Sequence, residues 1–292
     1  YKMKLIYKNE KLSKYNWFNL GGPAKLFFKS QTINDLKKFL RDNNKKNYKI
    51  HILGAGSNTL FRDKGFDGVV IKLGNNFSYT NLLKNDQIEV GAATLDGRLA
   101  DFAKENSLTG FEFLSCIPGS IGGAISMNSG CYGEDISKIF LSLKAINFNG
   151  EEVSLDKEQI KFFYRGSNLR NSLIILSAVF QGKLSNKKKV FEKQKRLIER
   201  KKQSQPTRVK TCGSTFKNPI NNKKAWELIN LSQCFDLTVG GASISKKHCN
   251  FFLNDGNASS SDIENLINKV KEKVLEKTGT ELELEIKIIG NK

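Results

Sequence analysis

The sequence predicts an α+β protein, and three patterns carry this prediction. Thr32, followed three residues later by Asp35, has the form of a capping box that opens a helix ending near Asp42. The pair Asn149-Gly150, between two apolar runs, is a strong hairpin signal. Residues 281–289 alternate apolar and polar side chains with a period of two, as a half-exposed strand does.

The remaining elements fall into three segments, 1–73, 74–185 and 186–292, which we expect to be domains. In the first segment the sequence predicts strands at 25–28, 48–53 and 69–73. In the second it predicts strands at 87–90, 140–147, 151–155 and 173–180, and a helix at 95–105. In the third it predicts helices at 186–203 and 223–231, a strand at 251–253, and a capping box at Ser261–Glu264 that opens a helix to about Lys277.

Composition limits the class of protein. The chain has 292 residues, of which 39% are hydrophobic, and lacks both the apolar run of a membrane span and a signal peptide, so we expect a folded cytoplasmic protein. Its net charge of +19 is spread along the chain without a nucleic-acid-binding motif, which favours anionic small molecules over nucleic acid as ligands. The five cysteines form no Cys-x-x-Cys pair, so we expect neither a disulfide framework nor a metal site.

The most unusual stretch is 115–133, which contains five glycines and no charged residue until Glu134. Because glycine lets a backbone approach a ligand closely, this stretch indicates main chain wrapped around a flat or phosphorylated ligand. A glycine-rich turn in a packed core is the alternative. A second loop, Gly54-Ala55-Gly56-Ser57-Asn58, fails the Rossmann pattern because Thr59 stands where that pattern needs glycine. It can still form a nest for a diphosphate, or a plain strand-to-turn connection.

Two more places carry candidate chemistry. Arg165 follows three aromatic residues, where its charge would be half desolvated; an ion-pair partner or a stacked surface residue is the alternative. The turn 212–219 holds a serine, a lysine and an asparagine that can reach one ligand. In the last predicted strand, the period of two places Glu281, Glu283 and Glu285 on one face.

In chain order the motifs are Leu-Gly-Gly-Pro-Ala, Leu-Gly-Ala-Gly-Ser-Asn, Ile-Pro-Gly-Ser-Ile-Gly-Gly-Ala, Met-Asn-Ser-Gly, Tyr-Arg-Gly-Ser, Gly-Ser-Thr-Phe-Lys-Asn-Pro, His-Cys-Asn-Phe and Leu-Glu-Leu-Glu-Ile-Lys-Ile-Ile-Gly. Each is weak alone. As an ordered set running from Asn19 to Gly290, they make the chain resemble the UDP-N-acetylenolpyruvoylglucosamine reductase family. The resemblance implies the shorter form of that family, because there is no room for an inserted tyrosine-bearing loop.

The resemblance implies a vanillyl-alcohol-oxidase-like FAD-binding fold of two α+β subdomains (1–73 and 74–185) and a C-terminal substrate-binding domain (186–292). It implies non-covalent FAD, NADPH as co-substrate, UDP-N-acetylglucosamine enolpyruvate as substrate, no metal, and no obligate protein partner. The residues implied to bind FAD are Gly54, Ala55, Gly56, Ser57, Asn58, Thr59, Leu60, Ile117, Pro118, Gly119, Ser120, Gly122, Gly123, Ala124, Asn128 and Gly130.

By the same resemblance, Arg165, Ser214 and Glu285 are the catalytic residues, with Glu283 as the fallback for the glutamate. Arginine and a protonated carboxyl would stabilise charge that develops on the substrate, and the serine would donate a proton. The implied substrate-binding residues are Tyr164, Lys202, Lys217, Asn218 and His248, and a structural role for His248 is an equal alternative.

Two other functions remain open. One is a flavoenzyme of the same architecture that oxidises an alcohol or a sugar, with Cys131 or His51 as candidates for covalent flavin attachment. The other is a non-catalytic nucleic-acid binder driven by the basic charge. Flavin colour, its response to NADPH, and its retention after acid precipitation distinguish the three.

Overall fold

The computed structural model describes residues 5–169, 171–220 and 223–292. The strands are β1 (Ile6–Lys11), β2 (Pro23–Ser30), β3 (Lys49–Ile52), β4 (Thr59–Phe61), β5 (Phe66–Leu73), β6 (Thr80–Leu82), β7 (Gln87–Gly91), β8 (Leu108–Thr109), β9 (Gly130–Cys131), β10 (Glu134–Asp135), β11 (Phe140–Asn147), β12 (Glu152–Asp156), β13 (Phe162–Phe163), β14 (Gly166–Ser167), β15 (Leu173–Gln181), β16 (Lys183–Leu184), β17 (Thr238–Val239), β18 (Ala242–Ile244), β19 (Phe252–Asn254) and β20 (Lys287–Ile289). The α-helices are α1 (Ile33–Asn44), α2 (Asp96–Glu105), α3 (Ile121–Ser126), α4 (Lys187–Ser204), α5 (Ala225–Leu231) and α6 (Ser260–Thr278).

The chain divides into two compact units, each made of segments that are distant in sequence. The first unit comprises the chain up to Tyr7, Phe27–Ala55 and Val69–Lys201. The second comprises Lys8–Leu26, Gly56–Gly68 and Lys202–Lys292. The division into domains at residues 73 and 185 stays a prediction.

The first unit contains a five-stranded antiparallel sheet of order β12-β11-β15-β7-β6. Helix α3 packs against β7 and β15, and the apolar side chains of α2 lie in the same core. Phe140 stands at the centre of this core, with its ring edge-to-face against Phe162 and Phe180. The β11–β12 hairpin turns at Gly150, whose φ is +84°, so the Asn-Gly prediction is confirmed.

A separate four-stranded sheet has the order β1-β2-β5-β3. The capping box of α1 is confirmed: the Asp35 N–H donates to Thr32 Oγ1 over 3.0 Å, and the Thr32 N–H donates to the Asp35 carboxylate over 3.2 Å. Leu36 and Leu40 face inward one turn apart.

The second unit has its own core around α6, which carries an apolar stripe at helical spacing. The stripe consists of Ile263, Leu266, Ile267, Val270 and Val274, all buried. It packs on the antiparallel sheet β17-β18-β19 and on α5. Strand β20 pairs in parallel with β4, which returns the end of the chain to the loop that follows Gly56.

Three predictions differ from the structure. The capping box of α6 is formed by Ser259 and Asp262, not by Ser261 and Glu264, so the helix begins two residues earlier. The last strand covers only Lys287–Ile289, because the residues before it make an isolated bridge, Leu284 to Phe216. Helix α3 was not predicted, since glycine disfavours helix interiors.

Among the described residues, the helices are all too short or too polar to cross a bilayer.

Candidate functional site

The uncharged residues 117–130, here called the cradle, fold around the short helix α3 in the first unit. Ala124 and Ile125 anchor this helix in the core, while Gly123 and Ser126 stay exposed. A Cβ added at Gly123 would meet only Ser120 Oγ, at 3.8 Å, so the space beside this glycine is open. The cradle therefore presents a face without side chains, which suits close approach of a flat molecule.

The cradle contacts the loop that begins at Gly54. A Cβ at Gly54 would lie 2.6 Å from Ser120 Oγ, so only glycine allows the two segments to approach this closely. The Gly54 carbonyl accepts a hydrogen bond from the Lys72 ammonium group, and burial lowers the pKa of this lysine. Lys72, which lies in β5, thus fixes the start of the loop through the Gly54 carbonyl.

The rest of this loop belongs to the second unit. Gly56 has φ of +72°, and a Cβ there would collide with the Tyr15 carbonyl. The Gly56 carbonyl accepts from the Trp17 N–H over 3.1 Å, and the Asn58 carbonyl accepts from the Lys287 N–H over 2.9 Å. Both carbonyl oxygens are thus engaged in hydrogen bonds within the second unit.

Arg165 lies in the two-residue turn between β13 and β14, with φ of +57°. This hairpin is fixed to the end of the cradle: the Asn128 side-chain amide donates to the Phe163 carbonyl over 3.2 Å, and the Ser167 hydroxyl donates to the Ser126 carbonyl over 3.3 Å. The guanidinium carbon lies 5.1 Å from the centroid of the Tyr164 ring. The fold thus brings a cation to the edge of the cradle within one unit.

Ser214 and Glu285 come together in the second unit, on neighbouring extended segments. The Glu285 N–H donates to the Thr215 carbonyl over 2.8 Å, so the glutamate lies opposite the residue that follows Ser214. The Lys217 N–H donates to the Glu283 carbonyl over 2.9 Å and continues the pairing. The Asn58 amide donates to the Glu285 carbonyl over 3.0 Å. The backbone segments that carry Ser214 and Glu285, which are distant in the sequence, are therefore paired in the second unit.

The two candidate glutamates have different surroundings. Glu283 is exposed and its carboxylate lies 3.5 Å from Lys217 Nζ, whereas Glu285 is partly buried. Both glutamates pair through their backbones with the segment that follows Ser214, so the choice of Glu285 over Glu283 stays a prediction.

Comparison with known proteins shows which family this chain resembles. The model of the UDP-N-acetylenolpyruvoylglucosamine reductase C-terminal domain matches residues 205–289, and the model of an FAD binding domain matches residues 24–156. The UDP-N-acetylenolpyruvoylglucosamine reductase of Pelagibacter ubique is 49% identical over 280 residues, which cover 95% of this chain and 92% of the relative. The Rickettsia typhi reductase of the same name is 44% identical over 283 residues, covering 97% and 95%.

The chain belongs to the UDP-N-acetylenolpyruvoylglucosamine reductase family.

The solved structures agree with this assignment. The reductase from Thermus caldophilus has a TM-score of 0.85 at 30% identity, over 98% of this chain and 99% of that one. A glucose dehydrogenase, wild-type Phl p 4.0202, has a TM-score of 0.50 at 12% identity over 63% of this chain and 42% of that one, which shows the fold alone. The predicted α+β FAD-binding fold and the FAD cofactor are confirmed.

The cradle of this family member fits FAD on its own geometry. It carries no charge that would oppose a diphosphate, and its open face at Gly123 is a space that a Cβ would fill. Gly119 is packed differently, since a Cβ there would collide with Asp96 Oδ2. Gly119 is thus required by the packing of the protein itself, whereas the space beside Gly123 is open, and the FAD contacts of both residues stay predictions.

The five residues implied to bind substrate in this reductase family are placed in both units. Tyr164 is half-exposed beside Arg165, and Lys202 is exposed at the end of α4. Asn218 Oδ1 accepts from the Ala225 N–H over 3.0 Å at the start of α5, so half of its amide has a structural role. Their contacts with substrate stay predictions.

His248 has one ring nitrogen in a structural hydrogen bond. Its Nδ1 accepts from the Asn250 N–H over 3.3 Å, and its ring lies edge-to-face with Phe251, 4.8 Å between centroids. Burial lowers the pKa of His248, so the ring is neutral near pH 7 and Nε2 carries the proton. Nε2 is then the nitrogen that can donate to a ligand.

Two positioning residues were missed by the sequence interpretation. The Asn250 side chain is buried and bonds both polar groups of Phe216, accepting from its N–H over 3.0 Å and donating to its carbonyl over 2.8 Å. The Asn250 carbonyl accepts from the Thr215 N–H over 2.8 Å, which fixes the strand that carries Ser214. Asn250 is the asparagine of the motif His-Cys-Asn-Phe, which is the sequence feature that could have identified it.

Asp96 is the other missed residue. Its carboxyl is fully buried against Gly119, and within the described part of the chain neither oxygen has a hydrogen-bond partner. Desolvation raises the pKa of Asp96 well above its usual range.

Proposed function

We propose that the chain reduces UDP-N-acetylglucosamine enolpyruvate to UDP-N-acetylmuramate with NADPH, a step of peptidoglycan precursor synthesis. The observation that supports this most strongly is the pairing of the Ser214 and Glu285 segments in a member of the reductase family. FAD, when bound, supplies the hydride transfer from NADPH to C3 of the enol ether. The residues that would hold it are the cradle and the loop 54–60.

Arg165 stabilises the charge that hydride addition creates on the substrate. Addition at C3 leaves negative charge at C2, next to a carboxylate, and a fixed cation lowers the energy of that species most in a site that excludes water. Hydrogen bonds made by Asn128 and Ser167 attach the β13–β14 hairpin to α3 and the residues that flank this helix. The backbone that carries the guanidinium group is therefore held in place. Glu285 contributes by sharing a proton rather than by adding a second negative charge.

Ser214 donates the proton to C2. A hydroxyl is a weak acid in water, but a carbanion is a strong base, so a positioned O–H with a proton source behind it is sufficient. Glu285 is the candidate for that source, since its segment pairs with Thr215. Gly213 has φ of +78°, which turns the chain sharply just before the serine.

Lys217, Lys202 and Tyr164 would contact the UDP-sugar, with His248 Nε2–H and Asn218 as hydrogen-bonding groups. Both substrates are anionic nucleotides, which agrees with the strongly basic chain. The cytoplasmic location predicted from the sequence is part of this proposal.

The test is a two-step anaerobic titration of the purified yellow protein. We expect NADPH to bleach the visible absorbance and the enolpyruvyl UDP-sugar to restore it, with a product heavier than the substrate by about 2 Da, the mass of a hydride and a proton. Bleaching by NADPH without recovery on addition of the UDP-sugar would contradict the substrate assignment.

The flavin-dependent oxidase of an alcohol or sugar is not favoured, because the named relatives at 43–49% identity are reductases. In the same titration an oxidase would be bleached by the alcohol or sugar, and covalently attached flavin would remain with acid-precipitated protein.

A further inference from the structure

Lys72 lies beside the place where the cradle meets the loop that begins at Gly54. It stands near the end of β5 in the first unit, and its ammonium group donates to the Gly54 carbonyl over 2.5 Å. A Cβ at the same glycine would lie 2.6 Å from the hydroxyl oxygen of Ser120, the cradle residue that precedes α3. One glycine therefore links the Lys72 ammonium group to the cradle, and all three residues belong to the first unit.

The Lys72 ammonium group is only partly satisfied by the protein. An ammonium group carries three N–H donors, and the Gly54 carbonyl accepts from one of them. Among residues 5–169, 171–220 and 223–292, the other two donors have no acceptor, and no carboxylate forms an ion pair with this lysine. Lys72 is nevertheless half-buried. Its charge is thus partly removed from water without a counter-charge.

The surroundings of Lys72 add positive charge. Lys29 lies on β2, the strand next to β5 in the four-stranded sheet. Burial lowers the pKa of Lys72, and the Lys29 charge lowers it further. A half-buried cation beside a second cation is unfavourable for the protein alone, because desolvation and repulsion both oppose it. An anion bound at this place would offset both effects.

The anion that fits is the diphosphate of FAD. The diphosphate is the charged part of this cofactor, and the cradle, residues 117–130, contains no cation that could balance it. Its glycine-rich backbone can approach a flat ring but supplies no counter-charge. Lys72 supplies that charge at the junction of the cradle and the Gly54 loop.

We propose that Lys72 binds the diphosphate of FAD and is the main counter-charge for it in the first unit. The proposal rests on the placement of FAD at the cradle and the loop 54–60 that is part of the proposed function. Lys72 takes no part in hydride or proton transfer. Its bond to the Gly54 carbonyl orients the ammonium group, and its two remaining donors are available to phosphate oxygens.

The experiment measures the FAD dissociation constant of the flavin-free protein by equilibrium dialysis. We expect Lys72→Met to weaken FAD binding by about tenfold or more, because a charge-assisted hydrogen bond is lost. Lys72→Arg, which keeps the charge, should retain most of the affinity. Lys144→Met is the matched control, since it removes the same charge at an exposed position of β11 outside the cradle. A dissociation constant of Lys72→Met within twofold of the wild type would overturn the proposal.

Salt and stability separate ligand binding from a purely structural role. Raising the ionic strength should weaken FAD binding by the wild type more than by Lys72→Met, because salt screens the attraction of the lysine for the diphosphate. Flavin-free Lys72→Met should melt close to the wild type, since removal of an unpaired charge offsets the lost hydrogen bond, whereas its stabilisation by added FAD should be smaller. Flavin-free protein that melts well below the wild type, with the same salt dependence of FAD binding in both, would mean that Lys72 only supports Gly54.

This outcome can be told apart from failure of the proposed function. A wild type that is bleached by NADPH and restored by the enolpyruvyl UDP-sugar, together with unchanged FAD binding in Lys72→Met, would contradict the role of Lys72 alone. A wild type that binds FAD through Lys72 but is not restored by the UDP-sugar would contradict the substrate alone.

Discussion

At the scale of a single residue, Gly123 tests whether the cradle holds the FAD cofactor. It lies on the exposed face of α3, and the protein itself leaves the space beside it open. We expect Gly123→Val to yield mostly flavin-free protein, because the new side chain would occupy the face that the cofactor needs. The stability of the flavin-free protein should change by less than about 1 kcal/mol, since a helical glycine is itself unfavourable.

The measurement is the ratio of visible to ultraviolet absorbance after purification, with thermal unfolding of the flavin-free form. Gly97→Val is the matched control, because Gly97 is a helical glycine of α2 with nothing within 4 Å and lies outside the cradle. Full flavin occupancy in Gly123→Val, or equal loss in both variants, would refute the role of this glycine.

At the scale of an element, the start of α6 distinguishes two serines that the sequence alone confuses. Ser259 accepts from the Asp262 N–H over 3.0 Å, whereas Ser261 is exposed within the first turn. We expect Ser259→Ala to lower the free energy of unfolding by about 1 kcal/mol and Ser261→Ala to change it by only a few tenths. Denaturant melts of the two variants make the comparison, and the reverse ranking would mean that the helix begins at the later serine.

The two hydrogen bonds from the Asn250 side chain to the backbone of Phe216, here called the clamp, are a second feature at this scale. Asn250→Ala would leave the buried N–H and carbonyl of Phe216 unpaired, so we expect a loss of about 2 kcal/mol or more of stability. Because the clamp fixes the segment that carries Ser214, and the clamp and the cradle belong to different units, product formation should fall while flavin reduction by NADPH is retained. Asn230→Ala, at an exposed position of α5, is the control. An unchanged melt for Asn250→Ala would show that the clamp is not needed.

Sequence reasoning works for elements whose signals are local. The Thr32–Asp35 cap and the turn at Gly150 are confirmed because each is complete within a few residues. The last strand is shorter than predicted because its extent depends on partners distant in the chain, Phe216 for Leu284 and β4 for β20. A period of two identifies the faces of an extended segment but not where its ladder begins.

For the whole molecule, the order of the motifs predicted the family and the FAD-binding fold, and the comparisons confirm both. The order of the motifs does not predict which residues contact one another in the fold. The pairing of Thr215 with Glu285 joins residues 70 positions apart. The buried carboxyl of Asp96 likewise depends on the packing of Gly119 against it, which spacing does not encode.

The central claim is that Ser214 protonates the substrate carbanion. In Ser214→Ala, rapid anaerobic mixing should show flavin reduction by NADPH near the wild-type rate, while reoxidation by the enolpyruvyl UDP-sugar slows by orders of magnitude. Cysteine at this position, which keeps a proton to donate, should restore part of the second half-reaction. Equal slowing of both half-reactions, or wild-type reoxidation without the hydroxyl, would contradict the account.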